Sequence, residues 1–315
     1  MNIVFLDVAT LGNDLDLSVF DAVGYKTVYS ITSEAEVAER IKNADVVIIN
    51  KVKLNESNLS RAEKLKLICI AATGFDNVDL EYARKKGIAV CNVKGYSTDS
   101  VAQLSVSLAL SLVCHLNEYD EYCKSGKYTE SGVQNCLFPV IHELSGKTWG
   151  IYGYGNIGKK VGAVAKALGC NIIVTKRTPE RDTECVSLQE LFERSDIISV
   201  HTPLNDETRK SVNENVLSKA KKGLILVNTA RGAVFDEEAV VKAVESGIIS
   251  GLATDVYSVE PMTADSPYNR LRKNKNVIFT PHNAWGAYES RVRLLNEMVM
   301  NINAFLSGEK RNRVD

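Results

Sequence analysis

Short apolar runs, bounded by turn residues, alternate with stretches of helical periodicity along almost the whole chain. That alternation constrains the fold most, because strands apolar on both faces must be covered by helices. In the first third the runs are "IVFLDV", "KTVYSI", "DVVIIN", "LKLICIAA" and "IAVCNV". Between them lie a helix opening on the capping pair Ser33 and Glu36, and another, "NVDLEYARKKG", closing on Gly87. One long helix is expected over 98 to 124, then a less regular stretch ending in "FPVIHELSG". A second α/β run begins at "KTWGIYGYGNIG", with later runs "NIIVTK", "DIISVH", "GLILVNTA", "GLATDVY" and "NVIFT". The chain closes on an amphipathic helix, "ESRVRLLNEMVMNINAFLSG". The expectation is two α/β domains on parallel sheets, 1–97 with 287–315 and 98–286, the last helix returning to the first domain.

A chain of 315 residues has room for two such cores. Its net charge of −1 argues against a nucleic-acid footprint or a basic membrane face. The longest apolar stretch, "VAQLSVSLALSLVCHL", carries Ser and Gln and is too short to span a bilayer. "MNIVFLDVAT" has no secretory pattern, so a cytoplasmic protein is expected. The seven cysteines form no C-x-x-C pair and read as small buried hydrophobes. No Cys or His cluster has metal-ligand spacing, so no metal is expected.

Gly153, Gly155 and Gly158 follow a strand and open a helix, the context in which a G-x-G-x-x-G pattern binds a dinucleotide. Gly153 permits the turn, Gly155 admits the pyrophosphate, Gly158 lets helix pack on strand, and the N–H groups from Asn156 and Ile157 onward face the phosphates. The next strand of such a unit ends on an acid that grips the ribose 2′-hydroxyl of NAD. Here that place holds Thr175, Lys176 and Arg177. Cations there suit the 2′-phosphate of NADP, and the other reading is a solvated loop. NADP(H) is favoured, with NAD(H) as the alternative.

Arg231, Glu260 and His282 each lie just past a strand-like run, in "NTARGAVFDEEA", "DVYSVEP" and "TPHNAWGA". Ligands of open α/β sheets bind at the carboxyl ends of strands, and these three residue types can hold a carboxylate and move a proton. Singly, each also reads as a turn or loop residue.

Seven segments occur in the order found in one known family: "AATGFDNVDLEYARKKGIAVCNV", "GYSTDSVAQ", "GKTWGIYGYGNIG", "HTPLNDETR", "LVNTARGAVFDEEAV", "LATDVYSVEP" and "TPHNAWGA". Over nearly its whole length the chain resembles the D-isomer-specific 2-hydroxyacid dehydrogenases, especially the glycerate (hydroxypyruvate) dehydrogenase and glyoxylate reductase branch. The resemblance implies an NAD(P)-binding Rossmann domain inserted into a flavodoxin-like substrate domain, with 98–146 as an arm that embraces a second subunit. It implies reversible reduction of a small 2-keto acid to the D-2-hydroxy acid, by a homodimer.

The resemblance also implies roles. Arg231 clamps the substrate carboxylate and polarises the keto oxygen, His282 is the proton donor and acceptor, and Glu260 orients it. Thr73, Gly74 and Phe75 meet the substrate carboxylate through backbone N–H groups. Tyr96 and Trp285 line the pocket, which with Phe75 is narrowed around small, polar chains. Asp255 holds the nicotinamide carboxamide, Thr229 and Ala230 border the cofactor, and His201, Thr202 and Pro203 pass near the adenosine. His115 is expected to be a packing or interface residue, and His142 has no role. The missing ribose acid and Gln103, where many members have Glu, depart from the family pattern. The rival reading is a nucleotide-sensing corepressor-like module, against which stands the lack of a basic patch or long tail to dock a partner.

Overall fold

The computed structural model describes residues 1–179 and 183–315. The chain divides into two compact units, Met1–Ser97 with Gly286–Asp315, and Thr98–Trp285. Gly286 therefore counts with the first unit.

In the first unit five parallel strands, β1 (Asn2–Phe5), β2 (Tyr25–Val28), β3 (Val46–Ile49), β4 (Leu67–Ile70) and β5 (Ala89–Cys91), form one sheet in the order β2-β1-β3-β4-β5. This is the flavodoxin-like order. The inner strands β3 and β4 are buried at every position, as their unbroken apolar runs require. Helix α1 (Glu34–Ile41) opens on a reciprocal capping box between Ser33 and Glu36, and α2 (Leu80–Lys85) on Asp79, which accepts from the Tyr82 N–H. The C-terminal helix Tyr288–Leu306 buries Leu294, Leu295, Met298 and Ile302, one face at helical spacing.

In the second unit seven strands lie in the order β12-β11-β10-β9-β6-β7-β8, all parallel. They are β6 (Thr148–Tyr152), β7 (Asn171–Thr175), β8 (Glu184–Cys185), β9 (Ile197–Val200), β10 (Leu224–Asn228), β11 (Ile249–Thr254) and β12 (Val277–Phe279). Counted from β6, the first six run third-second-first-fourth-fifth-sixth, the order of the doubly wound dinucleotide-binding sheet. The strand order therefore reverses between β6 and β9. The two-residue β8, which the sequence reading omits, is too short to carry a period.

The expected single helix over 98 to 124 is two helices, α3 (Thr98–Val113) and α4 (Leu116–Lys124), bent by 62°. His115 makes the break with φ of +49°, and its Nδ1 lies 2.9 Å from Glu118 Oε1. Neither Gly nor Pro marks the place. Val101, Ala102, Ser105, Leu108, Ala109 and Leu112 of α3 are buried, most of them in the core with Trp149 and Ile151. Beyond α4 the segment leaves Val133, Leu137, Phe138, Val140 and Ile141 exposed, Leu137 and Phe138 by 79% each. Among the described residues no single helix is long and apolar enough to cross a membrane.

Candidate active site

The carboxyl ends of β6, β7, β9, β10, β11 and β12 carry the segments singled out in the second half of the sequence. After β6 the chain turns through Gly153, φ +97°, into helix α5 (Asn156–Ala167), with Gly155 as N-cap. The three glycines differ in purpose. A Cβ on Gly153 would lie 2.4 Å from the Thr202 nitrogen, and one on Gly158 2.4 Å from the Gly153 carbonyl oxygen. Both are demanded by packing. A Cβ on Gly155 would meet nothing within 4 Å, at the exposed first turn of the helix. Asn156 and Ile157 follow it, their N–H groups among those a helix start leaves unpaired. An open backbone beside a helix N-terminus fits a pyrophosphate.

At the end of β7, Lys176 is half-buried with Nζ 6.0 Å from the centre of the Tyr154 ring, and Arg177 is exposed. The Thr175 hydroxyl donates to the Val186 carbonyl at 2.9 Å, which removes it as a donor to a phosphate. After β9, His201 is anchored by its N–H to the Tyr152 carbonyl, Thr202 is buried, and the Pro203 carbonyl accepts from the Thr208 hydroxyl. Burial pushes the His201 imidazole down to about 3, so the ring is neutral at any working pH and no acid–base catalyst. Its Nε2 is fully covered and, among the described residues, has no partner. Thr229 is buried, and its hydroxyl bonds Ser105 at 2.7 Å and lies 3.5 Å from His201 Nδ1.

Arg231 follows β10 in a turn shaped by Asn228. The Asn228 side chain accepts from the Ala230 N–H at 3.0 Å and donates to the Arg231 carbonyl at 3.1 Å. Arg231 Nη1 donates to the Ala230 carbonyl at 2.8 Å, which places the guanidinium beside that turn. Gly232 has no substitute, because a Cβ there would lie 2.0 Å from the Tyr257 carbonyl carbon. That close approach brings the Arg231 turn against the loop after β11.

Glu260 and His282 form the centre of this edge. His282 Nδ1 is 2.6 Å from Glu260 Oε2, and Glu260 Oε1 accepts from the Tyr257 N–H at 3.1 Å. Both side chains are partly exposed, 24% for His282 and 31% for Glu260. A carboxylate facing Nδ1 makes that nitrogen the donor and leaves Nε2 to exchange a proton elsewhere. Burial, with Asp255 and Glu260 nearby, pushes the Tyr257 phenol up to about 12. It stays protonated and donates to the Thr280 carbonyl at 2.9 Å.

Two buried carboxylates hold these loops. Glu237, at the start of helix α6 (Glu237–Glu245), accepts from the Ser258 N–H at 2.7 Å. Asp255 is fully covered; its oxygens accept from the Thr280 hydroxyl and the N–H groups of Asn283 and Ala284 at 2.6, 3.0 and 2.9 Å. Three donors fill three of about four acceptor positions of a carboxylate. The sequence reading finds Asp255 by resemblance and misses its three bonds to the His282 turn. It misses Tyr257, Glu237 and Asn228 altogether.

In the first unit, the turn after β4 is built on β5 and its sequel. The Thr73 hydroxyl donates to the Val93 carbonyl at 2.8 Å, and the Asn92 amide to the Thr73 carbonyl at 2.7 Å. Among the described residues no acceptor meets the backbone N–H of Gly74 or Phe75. Tyr96 is buried, its carbonyl accepting from Arg293 Nε at 3.0 Å. Trp285, last residue of the second unit, donates from its indole Nε1 to the His282 carbonyl at 3.0 Å.

The residue set is that of a nicotinamide-dependent oxidoreductase: a phosphate cradle, a guanidinium and a carboxylate-backed imidazole on one sheet edge. Known proteins agree. Residues 106–284 match the model of the D-isomer specific 2-hydroxyacid dehydrogenase NAD-binding domain. A hydroxypyruvate reductase of Blautia hydrogenotrophica is 37% identical, with 100% of both chains covered. The D-lactate dehydrogenase of Aquifex aeolicus, solved with NAD and lactic acid, superposes with a TM-score of 0.87 at 31% identity over 99% of each chain. An acyclic imino acid reductase, solved with NADPH and D-Arg, gives 0.88 at 27% over 100% of each. With the motifs in order, the sheet order of both units and the Arg231, Glu260 and His282 edge in place, this chain belongs to the D-isomer-specific 2-hydroxyacid dehydrogenase family.

Proposed function

We propose that the protein reduces a small 2-keto acid of the hydroxypyruvate or glyoxylate type to the D-2-hydroxy acid, and runs the reverse oxidation. The 2.6 Å contact of His282 Nδ1 with Glu260 carries this reading, because it makes Nδ1 the donor to the carboxylate and leaves Nε2 of a partly exposed ring to exchange a proton. The Gly153–Gly158 turn would hold the pyrophosphate of a reduced nicotinamide dinucleotide, which would supply the hydride. Arg231 pairs with the substrate carboxylate and polarises the keto group. His282 gives the keto oxygen a proton from Nε2, and Glu260 holds the ring and stabilises the imidazolium. In the first unit, Thr73, Gly74, Phe75 and Tyr96 are the proposed substrate contacts, with the N–H groups of Gly74 and Phe75 suited to an anion.

The cofactor preference proposed is NADPH over NADH. Lys176 and Arg177 stand where an acid would bind the ribose hydroxyl, and an acid there would repel the 2′-phosphate. The proposed assembly is a homodimer through 98–146, whose exposed Leu137, Phe138, Val133 and Val140 form an apolar strip suited to a second copy. A stable monomer in sedimentation at micromolar concentration would remove that arm reading. The activity is tested by a panel of 2-keto acids with NADH and with NADPH. Hydroxypyruvate or glyoxylate is expected to lead phenylpyruvate in kcat/KM, and a lead for the aromatic acid would overturn the substrate class.

A further inference from the structure

A place in a pocket wall asks only for the aromatic face of Trp285, yet its indole N–H is also engaged, on the carbonyl of the residue that moves the proton. His282 has φ of +52°, a left-handed backbone that residues with a Cβ adopt only when their surroundings enforce it. The rest of the turn is held from other directions. The N–H groups of Asn283 and Ala284 donate to Asp255, and the Ala284 carbonyl accepts from the Ser100 hydroxyl. On the amino side, the Thr280 carbonyl and hydroxyl are held by Tyr257 and Asp255. The His282 carbonyl, in the middle, is held by Trp285.

We propose that Trp285 is a positioning residue for the proton donor: its indole N–H fixes the His282 backbone in the left-handed conformation that keeps Nδ1 on Glu260. The inference rests on the reading of His282 as proton donor and adds to Trp285 a task that an aromatic wall alone would not perform. A wall needs a ring; a tether needs a donor. The two tasks separate in Trp285→Phe, which keeps a ring and removes the N–H. They separate more finely when Trp285 is replaced by benzothienylalanine, where sulfur takes the place of the N–H in a ring system of the same shape.

Both replacements are expected to lower kcat about three- to tenfold, the size of one neutral hydrogen bond. In the benzothienylalanine variant, which keeps the shape of the wall, KM for the 2-keto acid and the ratio of hydroxypyruvate to phenylpyruvate turnover should stay as in the wild type. The NMR resonance of the hydrogen-bonded His282 Nδ1 proton, identified by its loss in His282→Ala, should move upfield or broaden. Unchanged kcat in the isosteric replacement, or an altered substrate ratio alone, would overturn the tether. If the wild type turns over no 2-keto acid, the proposed function fails on its own. The NMR comparison still decides the tether, and an unmoved resonance in the isosteric replacement refutes it.

Discussion

The two halves of the second unit's sheet edge are built on different principles. The cradle after β6 is made of backbone and of missing side chains: Gly153 and Gly158 each have a neighbouring backbone atom at 2.4 Å from where a Cβ would sit. The edge after β10, β11 and β12 is made of side chains that hold the loops carrying the reactive groups. Asp255 and Tyr257 grip the His282 turn, Glu237 grips the Glu260 loop, and Asn228 shapes the turn that carries Arg231. A phosphate needs donors that the backbone already has, whereas a proton donor needs a ring held within a fraction of an ångström. The first half should therefore respond to added bulk and the second to the removal of single polar atoms.

The sharpest break is His282→Ala. It should cut turnover by about a hundred- to ten-thousand-fold while NADPH binding, followed by fluorescence, stays close to wild type. Near-normal turnover would detach the chemistry from this edge. Next in size is the double change Lys176→Asp with Arg177→Ala. Charge-assisted bonds to a partly exposed phosphate contribute about 1.5 to 3 kcal/mol, so the NADPH-to-NADH ratio of kcat/KM should fall roughly ten- to a hundredfold. A wild type that prefers NADH, or a ratio that does not move, would leave both cations as solvated residues.

Glu260→Gln tests the coupling within the edge. Losing the carboxylate replaces a charge-assisted bond to His282 Nδ1 by a neutral one, so kcat for keto-acid reduction should fall about tenfold. An unchanged kcat would count against the pair. The smallest effects separate the glycines. Gly158→Ala forces a Cβ against the Gly153 carbonyl and should lower Tm, overpacking of this kind costing about 1–3 kcal/mol. Gly155→Ala should leave Tm unchanged and weaken cofactor binding alone. Equal loss of Tm in both would erase the distinction between folding glycines and the binding glycine.

The same contrast explains what could be read in the sequence. Strands β1, β3, β4, β6, β7, β9 and β10 were legible because apolar runs of strand length leave few alternatives, and the Gly153–Gly158 turn because each glycine has a local cause. The bend at His115 was hidden, since no Gly or Pro marks it and the left-handed residue is supported by a pairing with Glu118 three positions on. Thr175 falls where the cofactor ribose is expected, and nothing in the sequence shows that β8 lies beside β7 or that the Val186 carbonyl takes the Thr175 hydroxyl. Arg231, Glu260 and His282 stand out as residue types at strand ends. Their supports do not, because Asp255 and its partners lie 25 to 29 residues apart and meet only once β11 and β12 pair.

The proposed hydride transfer at the carboxylate-backed His282 and Arg231 is followed by mixing the purified protein with NADPH and hydroxypyruvate and recording reduced-nicotinamide absorbance, with chiral analysis of the product. Cofactor oxidation matched one to one by D-glycerate is the expected result. No oxidation with NADPH or NADH across small 2-keto acids, or formation of the L isomer, would contradict it.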